Sequence, residues 1–287
     1  MSFTWKETNG YVMATYKNKE WSLLEYHPKE KDNFTMKINI GCSGLHYGQS
    51  VFEGLKAYRN GDVLRCFRPQ ENHKRMQVSA EASSMICPPL DLFLKAIEVC
   101  IDKNKDCLKE EPSMYIRPLL FGSGAQLGLH ESHEYTFIVF SIPVGDYYPD
   151  GIKPVDADIV DMDRAAPRGT GHAKLAGNYA PTLKPAKEAK SNGSQITLYL
   201  DPLEHKYVEE FATSNFIGIK GNVLTTPSSK SILQSITRLS LCHIAQHKLN
   251  MTVEQRVIPY TELQEFEAVG AVGTAGNSFL YSRYYCY

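Results

Sequence analysis

Residues 163–193 read "DRAAPRGTGHAKLAGNYAPTLKPAKEAKSNG". The stretch opens polar and Gly-rich, holds Lys174 between small residues, and then turns helical up to Gly193. Small neighbours let a bulky planar ligand approach the backbone closely. A lysine partly withdrawn from water loses basicity and becomes a nucleophile toward carbonyls. A Gly-rich turn with an incidental lysine is the other reading of these residues alone, because short motifs also arise by chance.

Around this stretch the pattern is mixed and rich in strands. "VDADIVDMD" precedes it, and "ITLYLD", "FIGIKGNVLTT", a helix over 235–248 and "MTVEQRVI" follow it. The N-terminal half alternates polar and apolar residues in short runs such as "YVMATYK", "FTMKINI" and "LKAYRNGDVLRCFR". Asn60-Gly61 between two such runs predicts a hairpin. "ENHKRMQVSAEASS" and "DLFLKAIEVCIDKN" have helical period, with Asp91 placed to cap the second. "SMYIRPLLFGSG" and "YTFIVFSIPVG" are β-branched and aromatic strands. The first part therefore predicts an α+β domain on a mostly antiparallel sheet. "GDYYPDGIKP" (145–154) gathers the turn residues of a linker.

The bulk numbers bound the class. The 287 residues suggest roughly two domains. Net charge is −1 with both signs interspersed, which gives no footprint for nucleic acid or an anionic membrane and suits a small ligand. Seven cysteines without a Cys-x-x-Cys pair argue against a disulfide framework or a zinc site and for a reducing compartment. The cytoplasm is the first expectation and the mitochondrion the second. No apolar run is long enough for a membrane helix. The first residues read as mature protein and not as a targeting signal.

Two further stretches suggest partners for the lysine. "YVEEFATSNFIGI" (207–219) places Glu209 and Glu210 in an otherwise apolar and small-residue run. Carboxylates buried there need a cationic partner, and a protonated ring nitrogen would serve. "SILQSITRLSLCHIAQ" (231–246) starts a helix at Ser235-Ile236-Thr237. Free N–H groups at such a start, with a Thr hydroxyl, bind anions of the phosphate kind. Plain capping by Ser235 explains the same residues.

Taken in order, "GTGHAKLAGNYAPTL", "VEEFATSNF", "SILQSITR" and "VGTAG" resemble the pyridoxal-phosphate motifs of branched-chain amino-acid aminotransferases, the fold-type IV group. "LHYGQSVFEGLKAYR", "RCFRPQENHKRMQVSAE", "SMYIRPLLFGSG" and "YTFIVFSIPVGDYY" resemble its N-terminal half. The resemblance spans roughly residues 20–275, and several long motifs in order are far more specific than one. It implies an α+β fold in two domains. A small α/β domain is expected over 1–145, an interdomain loop over 146–152, and a larger, pseudo-barrel, β-rich cofactor-binding domain over 153–287.

The resemblance also implies roles. Lys174 matches the Schiff-base lysine, which serves as acid or base at the substrate Cα. Glu210 matches the carboxylate facing the pyridine nitrogen, and Asn215 five residues later fixes that register against Glu209. Tyr179 matches the tyrosine on the cofactor's phenolic oxygen. Arg75, Ile236, Thr237 and Thr274 match phosphate contacts. Tyr47 and Phe52 resemble aromatic walls for a branched side chain. Tyr115 and Arg117 resemble receivers of a carboxylate, and Ala275 resembles a contact to the α-carboxylate. The expected cofactor is pyridoxal 5'-phosphate, the expected substrates are amino acids and 2-oxo acids, and the expected assembly is a homodimer. A D-amino-acid aminotransferase, an aminodeoxychorismate lyase and an inactive paralogue are the alternatives.

Two departures stand out. Leu233-Gln234-Ser235 replaces the family's Leu-Pro-Gly, which predicts a less rigid loop. After "VGTA" the chain reads "GNSFLYSRYYCY", unlike the family's continuation. This predicts a C-terminally shortened large domain with unpaired strand edges.

Overall fold

The structure, a computed structural model, describes residues 4–61, 63–108, 111–145, 154–274, 278–280 and 284–286. The interdomain loop expected over 146–152 lies outside the described residues, and so does Ala275. The chain forms two compact units. The first is Met1–Pro149 with Ala173–Gly177, and the second is Asp150–His172 with Asn178–Tyr287. The short run that carries Lys174 therefore packs in the first unit, although the sequence placed it in the second domain.

In the first unit β1 (Gly10–Lys17), β2 (Glu20–Trp21), β3 (Glu25–Pro28), β4 (Ser50–Phe52), β5 (Leu55–Asn60), β6 (Val63–Cys66), β7 (Ser113–Gly122) and β8 (Tyr135–Val144) form one sheet. Its main order is β2-β1-β8-β7-β5-β6, with β3 on β1 and β4 on β7, and every pairing is antiparallel. Gly61 takes φ +61° in the β5–β6 hairpin, as the Asn-Gly signal predicts.

The helices are two single turns, α1 (Lys29–Asp32) and α2 (Ser43–His46), and two longer ones, α3 (Pro69–Glu81) and α4 (Leu90–Asn104). Their apolar stripes face the sheet and bury Met76, Phe93, Ile97, Met114, Ile116 and Phe137 in one core. Each such side chain contributes about 1.5–3 kcal/mol.

Two local expectations fail in this unit. "FTMKINI" forms no strand, and Ile40 stays exposed: among the described residues no strand pairs with that segment. Asp91 does not cap α4. The helix begins one residue earlier, with Pro89 at the N-cap, so Asp91 lies within the first turn and only complements the helix dipole.

The second unit is a mixed sheet. It holds β9 (Ala157–Ile159), β10 (Ile196–Leu200), β11 (Val208–Phe211), β12 (Asn215–Lys220), β13 (Val223–Pro227), β14 (Thr252–Arg256), β15 (Ala268–Val272), β16 (Ser278–Leu280) and β17 (Tyr284–Cys286). The path runs β14-β13-β12-β11-β10-β9-β17 and branches at β12, where β15 pairs and carries β16. Its core gathers Leu198, Phe211, Phe216, Ile258 and Val269.

Helix α5 (Leu183–Ser191) follows the quoted stretch, and α6 (Ile236–Lys248) follows "SILQS". The C-terminal residues described form two strands, β16 and β17, which pair with β15 and β9 and end the sheet there.

Candidate active site

The residues around Lys174 are set by three elements of the first unit. The Lys174 segment lies along β4: Val51 bridges Leu175, and Phe52 N donates to Lys174 O at 3.2 Å. Lys174 N donates to Ser79 Oγ of α3 at 2.8 Å. The backbone is thus fixed on both sides, and the half-buried side chain brings Nζ to 4.6 Å from the Phe52 ring centroid.

Arg117 of β7 approaches the same ring, with Cζ at 4.8 Å, and its Nη2 donates to Tyr115 Oη at 3.1 Å. Gly54 makes room for that tyrosine, since a Cβ there would stand 2.1 Å from Tyr115 Oη. Lys174, Phe52, Tyr115 and Arg117 are therefore brought together. Tyr47 is placed apart in its bonding: it is half-exposed, and its Oη donates to Leu127 O at 2.5 Å.

Arg75 projects from α3 one turn before Ser79. Its Nε donates to Glu53 Oε1 and its Nη2 to Glu53 Oε2, both at 2.7 Å. Asn72 Nδ2 also donates to Glu53 Oε2 at 2.7 Å. Glu53 is fully buried. The fork that the sequence assigned to a phosphate is thus engaged by a carboxylate that the sequence reading missed.

These neighbours set the basicity of Lys174. Its pKa is lowered from 10.5 to about 8. Withdrawal from water is the main cause, and the cationic Arg75 comes next. Glu53 and Tyr115 oppose the shift, and Arg117 adds to it. A lysine near neutral pKa has an unprotonated fraction able to add to a carbonyl.

In the second unit the two glutamates separate clearly. Glu210 of β11 stands opposite Asn215 of β12, whose Nδ2 donates to Glu210 Oε2 at 2.9 Å. Leu233 N donates to Glu210 Oε1 at 2.9 Å, and Arg164 Nη2 lies 2.7 Å from the same oxygen. Arg238 of α6 is also within electrostatic reach of Glu210. Glu209 is held differently. Ser229 Oγ donates to it at 2.5 Å, and Ser231 Oγ also donates to it.

The cationic partner demanded by Glu210's burial is therefore Arg164. Burial alone does not require a ring nitrogen there. Nothing within the local pattern "DRAAP" announces this arginine, whose partner is 46 positions away.

The phosphate candidates of this unit lie at two backbone turns. Ser235 caps α6: its Oγ accepts from Arg238 N at 3.2 Å. Ile236 is buried and Thr237 half-buried at the first two helical positions. Thr274 follows β15, and β15 pairs with β12 at Asn215↔Val272. The same Asn215 pairs with Glu210, so the end of β15 and Glu210 flank one residue of β12. Tyr179 is half-buried just before the turn that leads into α5.

A pyridoxal phosphate needs a lysine of low basicity, a buried carboxylate and anion-binding turns. The donor set present fits that need. A cavity of about 610 Å³ beside the β5–β6 hairpin, lined by Leu64, Cys66, Leu94 and Ile97, holds none of these residues.

A lysine tuned for carbonyl chemistry on an α+β frame of two units suits a transferase of amino groups. The description "Amino-transferase class IV" matches residues 50–277, so the chain is a class IV aminotransferase. Within that class it belongs to the branched-chain amino-acid aminotransferase family.

The branched-chain-amino-acid aminotransferase of Helicobacter pylori is 42% identical over 283 residues, which are 96% of this chain and 82% of that protein. The crystal structure of the Escherichia coli branched-chain amino acid aminotransferase matches with a TM-score of 0.80 at 28% identity, over 96% of this chain and 86% of that one. A further branched-chain amino acid aminotransferase, from T.th. and solved with pyridoxamine 5'-phosphate, matches with a TM-score of 0.78 at 26% identity, over 96% and 86%. The fold-type IV expectation holds. The D-amino-acid aminotransferase and lyase alternatives are not favoured.

Proposed function

We propose that the chain exchanges the amino group of leucine, isoleucine or valine with 2-oxoglutarate, using pyridoxal 5'-phosphate, in two half-reactions. The observation that carries this is the half-buried Lys174 against Phe52, made less basic by burial and Arg75. The cofactor supplies an electron sink for the bond broken at the substrate Cα.

Lys174 holds the cofactor covalently and then moves a proton at that carbon. Glu210 faces the ring nitrogen and keeps a proton on it. Tyr179 holds the phenolic oxygen. Ile236, Thr237, Thr274 and the charge of Arg75 hold the phosphate, with Glu53 fixing the arginine's orientation.

Phe52 and Tyr47 wall the apolar side chain of the substrate. Tyr115, Arg117 and the backbone at Ala275 receive carboxylates. The Arg117–Tyr115 hydrogen bond supports this, since it holds the cation beside Phe52 without neutralising it. Among the described residues no helix is long and apolar enough to cross a membrane. A homodimer in the cytoplasm is the working assembly and location.

The test is the visible spectrum of the purified protein with added cofactor. A band that shifts with pH, is lost in Lys174→Ala and changes on addition of L-leucine is the expected result. Turnover of D-alanine without turnover of L-leucine would sink the substrate reading.

A further inference from the structure

Arg164 is nearly sealed from solvent, with a side chain 4% exposed. One of its atoms, Nη2, meets three acceptors from three separate segments. These are Glu210 Oε1 at 2.7 Å, Gly171 O at 2.8 Å and Ser231 O at 2.6 Å. Gly171 belongs to the run that leads into Lys174 in sequence, and Ser231 to the run that leads into α6. Ser231 also donates its hydroxyl to Glu209, so its backbone accepts from the arginine of one glutamate and its side chain bonds the other.

Two independent observations show that this seat is specified. A Cβ at position 171 would stand 2.2 Å from Ser231 O and 3.0 Å from Arg164 Nη2. Backbone oxygen does not yield to such an overlap, so the glycine is required where the arginine docks. Arg164 Nε, in turn, is buried and has no acceptor among the described residues. A buried donor left unmatched is costly. The guanidinium is seated so that Nη2 meets its acceptors while Nε goes unmatched.

We propose that Arg164 is a positioning residue for the cofactor. It keeps Glu210 ionised and in one rotamer, and it ties that carboxylate to the segments before Lys174 and before α6. The proposal rests on Glu210 as the ring partner. A guanidinium offers a planar fork with several donors, and a lysine at the same place keeps the charge but loses that geometry.

The experiment is a double-mutant cycle read on cofactor binding. Pyridoxal 5'-phosphate is titrated into the apoprotein of the full chain, and its dissociation constant and visible band are recorded. Glu210→Gln and Arg164→Met are each expected to weaken binding by at least about tenfold. The double variant should bind little worse than the weaker single variant, because both changes remove one coupled unit. Arg164→Lys should recover part of the affinity.

Additive losses in the double variant would overturn the proposal. So would an Arg164→Met protein whose affinity and band match those of the parent while Glu210→Gln changes both. A silent Glu210→Gln would instead refute the ring-partner reading, and the proposal with it. Should Arg164→Met fail to fold, Gly171→Ala and Arg164→Lys decide the matter. Weakened cofactor binding by folded protein supports the proposal, and unchanged binding ends it.

Discussion

The surroundings of Lys174 and of Glu210 obey opposite rules. Burial disfavours the charge of Lys174 most, and the cationic Arg75, then Arg117, add to the effect. Glu210 sits with Arg164, a backbone N–H and an amide, all of which favour its charge. One group is made easy to discharge and the other is held charged. A reaction that needs a neutral amine and a fixed anion is served by this contrast, and neither group would have its role in the other's place.

Removing the amine breaks the comparison most severely. Lys174→Ala is expected to lower kcat by at least about 10³-fold, since covalent attachment and proton transfer are lost together. Circular dichroism should be unchanged, because the segment's backbone bonds to Phe52 and Ser79 do not involve the side chain.

Next in size is the arginine that discharges the lysine. Arg75→Ala leaves Glu53 fully buried without its ion pair, which costs about 3–5 kcal/mol of stability. The urea midpoint of the apoprotein should fall accordingly. Glu210→Gln removes the fixed anion and is expected to lower kcat on the order of 10²-fold. Glu209→Gln, whose partners are two serines, should change kcat by less than about tenfold. Equal effects from the two glutamates would erase the distinction between them.

The lysine's discharge is also visible as a pH dependence. In the apoprotein its pKa lies near 8, against 10.5 unfolded. Between these values the unfolded chain binds the extra proton, so stability rises with pH across that window. The penalty is present below it. The rate of cofactor capture should likewise rise as pH passes through about 8. Arg117→Met removes one opposing cation and should move that limb to higher pH by less than about one unit. A limb that stays in place, or moves down, would separate Arg117 from the tuning of Lys174.

What the sequence revealed follows the range of the physics involved. The hairpin at Asn60-Gly61 and the helices at 69–81 and 90–104 rest on local conformational preference and periodicity, and both are written in adjacent residues. Asn215 served in the resemblance only to fix the register of Glu210, and the structure shows it to be that residue's strand partner across a short turn. Glu53 with Arg75, and Arg164 with Glu210, were not legible, because the fold alone brings each pair together from 22 and 46 positions apart. "FTMKINI" misled for the same reason: alternation predicts a strand only where a neighbouring strand accepts it. The resemblance supplied the roles of the lysine and the carboxylate, and the structure supplied what tunes them.

The smallest expected effect asks whether the start of α6 only caps a helix. Ser235 Oγ accepts from Arg238 N, so Ser235→Ala should cost about 1 kcal/mol in the apoprotein. If capping were the whole role, the loss would be the same with cofactor bound. The N–H groups of Ile236 and Thr237 stand at the same helix start, and a phosphate held there depends on the orientation that Ser235 fixes. A ligand that binds only the folded form adds stability in proportion to its affinity. The cofactor-induced rise in Tm should therefore be smaller in Ser235→Ala than in the parent protein. An identical rise would leave α6 as a capped helix and remove it from the phosphate site.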